Sequence, residues 1–379
     1  MSDPFMQNPI TQNPMRATGP GAVAGAFADQ VAYCVANDAP VTARVVAAIA
    51  TVVAGGAQTP FLRRIREWPG APVADALALR AAGGLHALHL SGVAGELAGL
   101  YAGAGGGAAT ASDAASDAAL VERVIINHDS ALLGWLDGPP QTNEAGRSSN
   151  YIAAMLWLVQ QGAPATMQCV EIGSSAGINL MINRYHYDLG GVQSGPEDAP
   201  MRFSPQWRGG PPPPASAQPL RFAQLRGCDV APVDLTDPAQ ALRLRAYIWP
   251  EHVVRFARMD AAIALAQQAA PDLVAQNAAD FVEAELARPQ AAGELRVLMH
   301  SIVWQYVPHD QQQRVRAAMD AAAARATPER PLAWIALEAN RTVHHHELVV
   351  RLWRGQAGDG APRQLATAHA HGAWINWTG

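Results

Sequence analysis

The chain contains no lysine; all 27 of its basic residues are arginine. That excludes a Schiff-base lysine, and with it ordinary pyridoxal-phosphate chemistry. It also excludes a Walker A lysine, and with it ordinary P-loop chemistry. Cysteine is scarce. Cys34, Cys169 and Cys228 are odd in number and scattered, which fits a reducing compartment and no disulfide framework. No apolar run approaches the roughly 20 residues that span a bilayer. The first twenty residues lack the basic start and apolar centre of a signal peptide. The expectation is a cytoplasmic protein without a membrane partner. Charge is scarce too: the net value of −5 gives no basic surface for nucleic acid, so no nucleic-acid partner is expected.

What is present is apolar and helix-friendly. At 379 residues the chain can bury a large core, and its length suggests about two domains. Residues 1–19 are polar and proline-bearing and are expected to be disordered. Residues 20–150 carry helical stripes such as Val45, Val46, Ile49 and Val52, punctuated by Pro40, Pro60 and Pro69. They are expected to form an all-helical cap domain. Residues 151–379 alternate short apolar runs with helical patterns, which predicts a mostly parallel sheet. An insertion at about 186–218, with a hairpin and a proline run, interrupts that alternation.

The stretch Met167 to Leu180, MQCVEIGSSAGINL, is the most informative. A short apolar strand ends in Glu171, turns through Gly173, Ser174, Ser175, Ala176 and Gly177, and enters a helix-like run from Ile178. Strand, small-residue turn and helix is a plan by which an α/β sheet meets a nucleotide-like ligand. The spacing Glu171-x-Gly173-x-Ser175-x-Gly177 resembles the first motif of class I S-adenosylmethionine (SAM) dependent methyltransferases, with serine replacing the middle glycine. It fits the dinucleotide fingerprint less well.

Ligands of such sheets bind at the carboxyl ends of the strands, so the polar residues there are the candidates. The methyltransferase resemblance implies that Glu171, Gly173, Ser174, Ser175 and Gly177 pack against the methionine part of SAM. It implies that Asp229, in GCDVAP, accepts hydrogen bonds from both ribose hydroxyls, with Asp260 as runner-up. Asn277 and Ala278, in QNAAD, fall where the superfamily meets adenine. His300 closes a further strand; it is a candidate base as well as a cofactor contact. Tyr306 is the residue to orient it. Trp304, Glu338 and the polar cluster Asn143, Glu144 and Arg147 are candidates for substrate binding. His300 is also readable as a hydrogen-bonded core histidine, and Asp229 as a turn residue. His344 and His346, with His369 and His371, form pairs able to share a face, but no metal motif accompanies them.

The segments QTNEAGR, VEIGSSAGINLMINRYHYD, GCDVAPVDLTDP, LRAYIWPEH and HSIVWQYVP together resemble an uncharacterised bacterial domain-of-unknown-function family with a methyltransferase-like Rossmann core. That resemblance implies a doubly wound, mostly parallel seven-stranded α/β sheet behind an all-helical N-terminal domain, finished by a hairpin with one antiparallel strand. The function expected is SAM-dependent methyl transfer to a small-molecule substrate, with SAM as cofactor. The alternatives are a non-catalytic fold that binds a nucleoside-like ligand or a partner protein and, behind it, a metal-dependent hydrolase.

Overall fold

The structure, a computed structural model, describes residues 18–103, 113–141, 143–214, 219–340 and 345–379. The expected disorder before Thr18 and the histidine at 344 lie outside the described residues. In chain order the helices are α1 (Pro20–Ala36), α2 (Pro40–Ala54), α3 (Pro60–Arg66), α4 (Leu77–Leu90), α5 (Ala98–Tyr101), α6 (Ala114–Leu133), α7 (Ser148–Gln160), α8 (Pro238–Ala246), α9 (Val253–Gln268), α10 (Ala278–Ala287) and α11 (His309–Ala323). The strands are β1 (Thr166–Ile172), β2 (Tyr185–Leu189), β3 (Val192–Ser194), β4 (Met201–Phe203), β5 (Gln206–Arg208), β6 (Arg221–Asp229), β7 (Asp272–Ala275), β8 (Glu294–Ser301), β9 (Leu332–Asn340), β10 (His345–Trp353), β11 (Arg363–Ala368) and β12 (Trp374–Trp377). No described helix is long and apolar enough to cross a membrane.

The chain forms two compact units. One holds residues 18–141 together with Asp237–Met259; the other holds Asn143–Thr236 and Asp260–Gly379. Asp237–Met259 thus belongs with the N-terminal helices and not with the sheet. In the helical unit, proline opens α1, α2, α3 and α8, where its missing N–H costs nothing. Thr59, Asp113 and Asp237 cap helices by accepting backbone N–H bonds. The expected stripe of Val45, Val46, Ile49 and Val52 is buried with Phe27, Phe61, Leu85 and Ile125.

The other unit is built on a mixed sheet of nine strands, in the order β5-β12-β11-β10-β9-β8-β1-β6-β7. From β9 to β7 all neighbours are parallel. Numbered along the chain, these five strands run 3-2-1-4-5, so the winding reverses between β1 and β8. Helix α7 packs on one face, against β9 and β10; α10 packs against β1 and β6 on the other, with α11 beside it. The expected seven strands with one antiparallel member are corrected here. β9, β10, β11 and β12 form an antiparallel meander, and β5, from the insertion, adds parallel to β12. The rest of the insertion makes a separate sheet, β3-β2-β4.

The helix expected after Gly177 is also corrected. Ile178–Arg184 is a 3₁₀ stretch that runs directly into β2. The Tyr185 hydroxyl donates to the carbonyl of Ile178 (2.7 Å), and the Tyr187 hydroxyl to that of Ile182 (3.3 Å). Two carbonyls that an α-helix would give to the next turn are taken by tyrosines.

Candidate functional site

Strand alternation divides the carboxyl end of the sheet into two faces. Val170, Ile172 and Leu298 point into the core under α10 and α11, so His300 lies on that side. Glu171 and Ser301 point the other way, towards α7 and its Tyr151.

On the α7 face, Glu171 is buried, 2 % exposed. Its Oε1 accepts from Asn179 Nδ2 at 2.9 Å and stands 3.5 Å from the Tyr151 hydroxyl. Its Oε2 is buried and has no hydrogen-bond partner among the described residues; the same holds for Oδ1 of Asn179, which bonds Glu171, and for Ser175 Oγ in the loop after β1. Buried polar atoms are nearly always satisfied, so such a group marks a place for a ligand or an ordered water. Burial pushes the Glu171 carboxyl up to about 7, against the opposing pull of the Asn179 amide.

The loop after β1 is held from several sides. Ser174 donates its N–H to the Cys228 carbonyl (2.9 Å), and its own carbonyl accepts from Asn143 Nδ2 (2.8 Å) and from the Gly177 N–H (2.8 Å). Asp229, at the end of β6, accepts from the Ser175 N–H through Oδ2 and from the Ala231 N–H through Oδ1, both at 2.9 Å. Asp260 lies inside α9. Ser175 has φ +53°, and so does Ile302, in the loop after β8. Left-handed backbone is costly for a side-chain-bearing residue, most of all a β-branched one. Both residues stand at the two strands where the winding reverses, the usual ligand position in such sheets.

Gly173 has φ +68°, and a methyl built on it would lie 2.2 Å from Val303 Cγ2. Gly173→Ala is therefore expected to destabilise the protein by about 1–3 kcal/mol, through backbone strain and overpacking. Thermal unfolding checks this, and an unchanged midpoint would contradict the packing described.

On the opposite face His300 is fully buried. Its Nδ1 pairs with Glu338 Oε1 at 2.6 Å, and its ring stacks on Trp304 (5.1 Å between centroids). The same Glu338 oxygen accepts from the N–H groups of Val303 and Trp304, both at 3.2 Å. The group that orients His300 is thus Glu338 and not Tyr306, whose ring is 73 % exposed. Trp304 is mostly buried against Trp334. His300 and Glu338 fix the loop that sets Val303 on Gly173.

The remaining candidates have local duties. Asn277 caps α10, accepting from the Asp280 N–H and donating Nδ2 to the Asp280 carboxylate. Ala278 is buried in the core below α10. Glu144 accepts from the Gly146 N–H, and Arg147 donates Nε to the Ala370 carbonyl. Among the described residues no cluster of three or more His, Cys, Asp or Glu side chains is placed to hold a metal. His369 and His371 lie ring against ring, 5.6 Å apart.

The structure therefore brings Glu171, Gly173, Ser174, Ser175, Asp229 and Asn143 together, and leaves Tyr306 exposed and Asn277 capping α10. Tyr151, Asn179 and Ser301 join the Glu171 side without having been singled out from sequence. Strand parity was the available signal for Ser301, since it alternates with His300.

No curated protein and no solved structure matches the chain. A family model does match, over residues 24–377, nearly the whole length, and its description is "Uncharacterized protein conserved in bacteria (DUF2332)". The chain belongs to this bacterial family.

Proposed function

We propose that the sheet unit binds SAM at the carboxyl ends of β1 and β6 and transfers its methyl group to a small molecule. The observation that carries this reading is the bond from the Ser175 N–H to the Asp229 carboxylate, 2.9 Å long. It joins the acid after the second parallel strand to the middle of the loop after the first. The donor set suits the cofactor. The unpartnered Glu171 Oε2 calls for a hydrogen-bond donor, and a cationic one meets a buried carboxylate best. Each Asp229 oxygen accepts one backbone bond and has capacity for a hydroxyl.

When bound, SAM supplies a methyl group on a positively charged sulfur. Glu171 would hold its amino group and Asp229 its ribose. Asn143 keeps the loop in place through Ser174. The His300–Glu338 pair acts at one remove, by fixing Val303 against Gly173. The chain's work is positioning and the exclusion of water.

Asp229→Asn tests the reading. Asparagine keeps one oxygen for the Ser175 N–H but loses charge and an acceptor. Affinity for S-adenosylhomocysteine is expected to fall about 10–100-fold, the worth of one or two hydrogen bonds to a charged group. An affinity equal to that of the unaltered protein would overturn the assignment. A second reading, binding of a nucleoside-like ligand without turnover, is favoured by Asn277, whose amide is spent on capping. It expects S-adenosylhomocysteine to bind while no acceptor is methylated.

A further inference from the structure

The sheet unit has a cavity of about 1000 Å³, walled by the small β3-β2-β4 sheet and the start of β6. Its Arg221 end is far from Asp229. Arg221 opens the nine-residue β6 and Asp229 ends it, so the two stand about 26 Å apart along the strand.

Positive charge dominates its lining. Arg202 and Arg221 both face it. Arg202 donates to the backbone carbonyl of Glu197, not to its carboxylate. Neither guanidinium is in an ion pair among the described residues. Beneath them His186 is 5 % exposed. Its Nδ1 lies 3.0 Å from the Pro196 carbonyl and its Nε2 2.8 Å from Gln193 Oε1. Both ring nitrogens face oxygens, which fixes the ring in the cavity wall. Among the described residues, the one acid in the lining is Glu197.

We propose that this cavity binds a small molecule through a dianionic group, a phosphate or a pair of carboxylates, held between Arg202 and Arg221 with His186 below. The guanidinium fork matches either group in shape and charge. The volume suits a metabolite-sized ligand. The site is independent of the SAM proposal and stands or falls without it.

The test titrates the full-length protein with sodium phosphate and, separately, with sodium succinate, against sodium chloride at equal ionic strength. Calorimetry and the thermal midpoint are the readouts. Saturable binding of at least one anion is expected, with a midpoint rise that chloride does not give. Arg202→Gln and Arg221→Gln should each weaken it about tenfold, and the double variant should abolish it. Both side chains are exposed, so the variants should unfold at the unaltered midpoint in chloride. A response to phosphate alone names a phosphate ligand, and one to succinate alone a carboxylate ligand. No response beyond chloride, or undiminished binding in the double variant, overturns the proposal.

Discussion

Glu338→Ala is expected to lower the thermal midpoint by roughly 10 °C. One oxygen of Glu338 receives three donors: His300 Nδ1 and the N–H groups of Val303 and Trp304. His300 is fully buried, so alanine strands a ring nitrogen and two backbone donors where water does not easily replace the lost acceptor. Leaving a buried donor without its acceptor costs about 1–3 kcal/mol, and three donors lose theirs here. Glu338→Gln keeps an oxygen for the two backbone groups and should lose clearly less. A midpoint within about 2 °C of the unaltered protein for Glu338→Ala would mean that this carboxylate does not hold the loop. If it does hold the loop, Val303 loosens on Gly173, and SAM affinity should fall together with stability.

Glu171→Gln has an effect whose sign is set by pH. The Glu171 carboxyl is raised from 4.5 to about 7 by burial. At pH values below 4.5 it is protonated in both folded and unfolded chains and contributes nothing to the pH dependence. Between 4.5 and 7 the folded protein holds the proton that the unfolded chain releases, so stability falls as pH rises. Above about 7 the loss is complete, and amounts to about 3 kcal/mol. Glutamine carries no such charge. The variant should therefore match the unaltered protein near pH 4.5 and exceed it in thermal midpoint at pH 8. A variant less stable at pH 8 would show that the Glu171 charge is compensated in the folded protein. The same shift links to ligand binding. A cation beside Glu171 favours its ionised form, so binding below pH 7 should release a proton, and affinity should rise between pH 6 and pH 8.

Much of the parallel core could be read from the sequence because each strand is a short apolar run closed by a polar residue. The apolar run Leu295 to His300 lies in β8 and Leu332 to Leu337 in β9, and the pattern from Phe222 to Val230 marks β6 to within one residue. Trp249-Pro250 interrupts a helical pattern, and it lies between α8 and α9. The turn after Gly177 was not legible. Its apolar residues suit a helix, and only the tyrosines that follow in β2, with hydroxyls aimed back at its carbonyls, make it 3₁₀. The ninth strand was hidden as well, because Met201 to Trp207 reads as one edge strand but breaks at Ser204-Pro205 into β4 and β5, in different sheets.

In the site, the loop after β1 and Asp229 were visible as residue types at strand ends. The register was not. Glu171 pairs with Met299, which puts His300 one residue out of phase and on the far side of the sheet. A histidine at a strand end looks the same from sequence whether it faces the ligand or the core. Its partner, Glu338, lies 38 residues away, on a strand whose register the sequence does not show.

Whether the sheet unit binds SAM is tested by calorimetric titration of the full-length protein with SAM and with S-adenosylhomocysteine, at pH 6 and pH 8, in buffers of different ionisation enthalpy. One site with micromolar affinity is expected, tighter at pH 8, with proton release at pH 6 that disappears in Glu171→Gln. A folded protein that binds neither compound at either pH would contradict it.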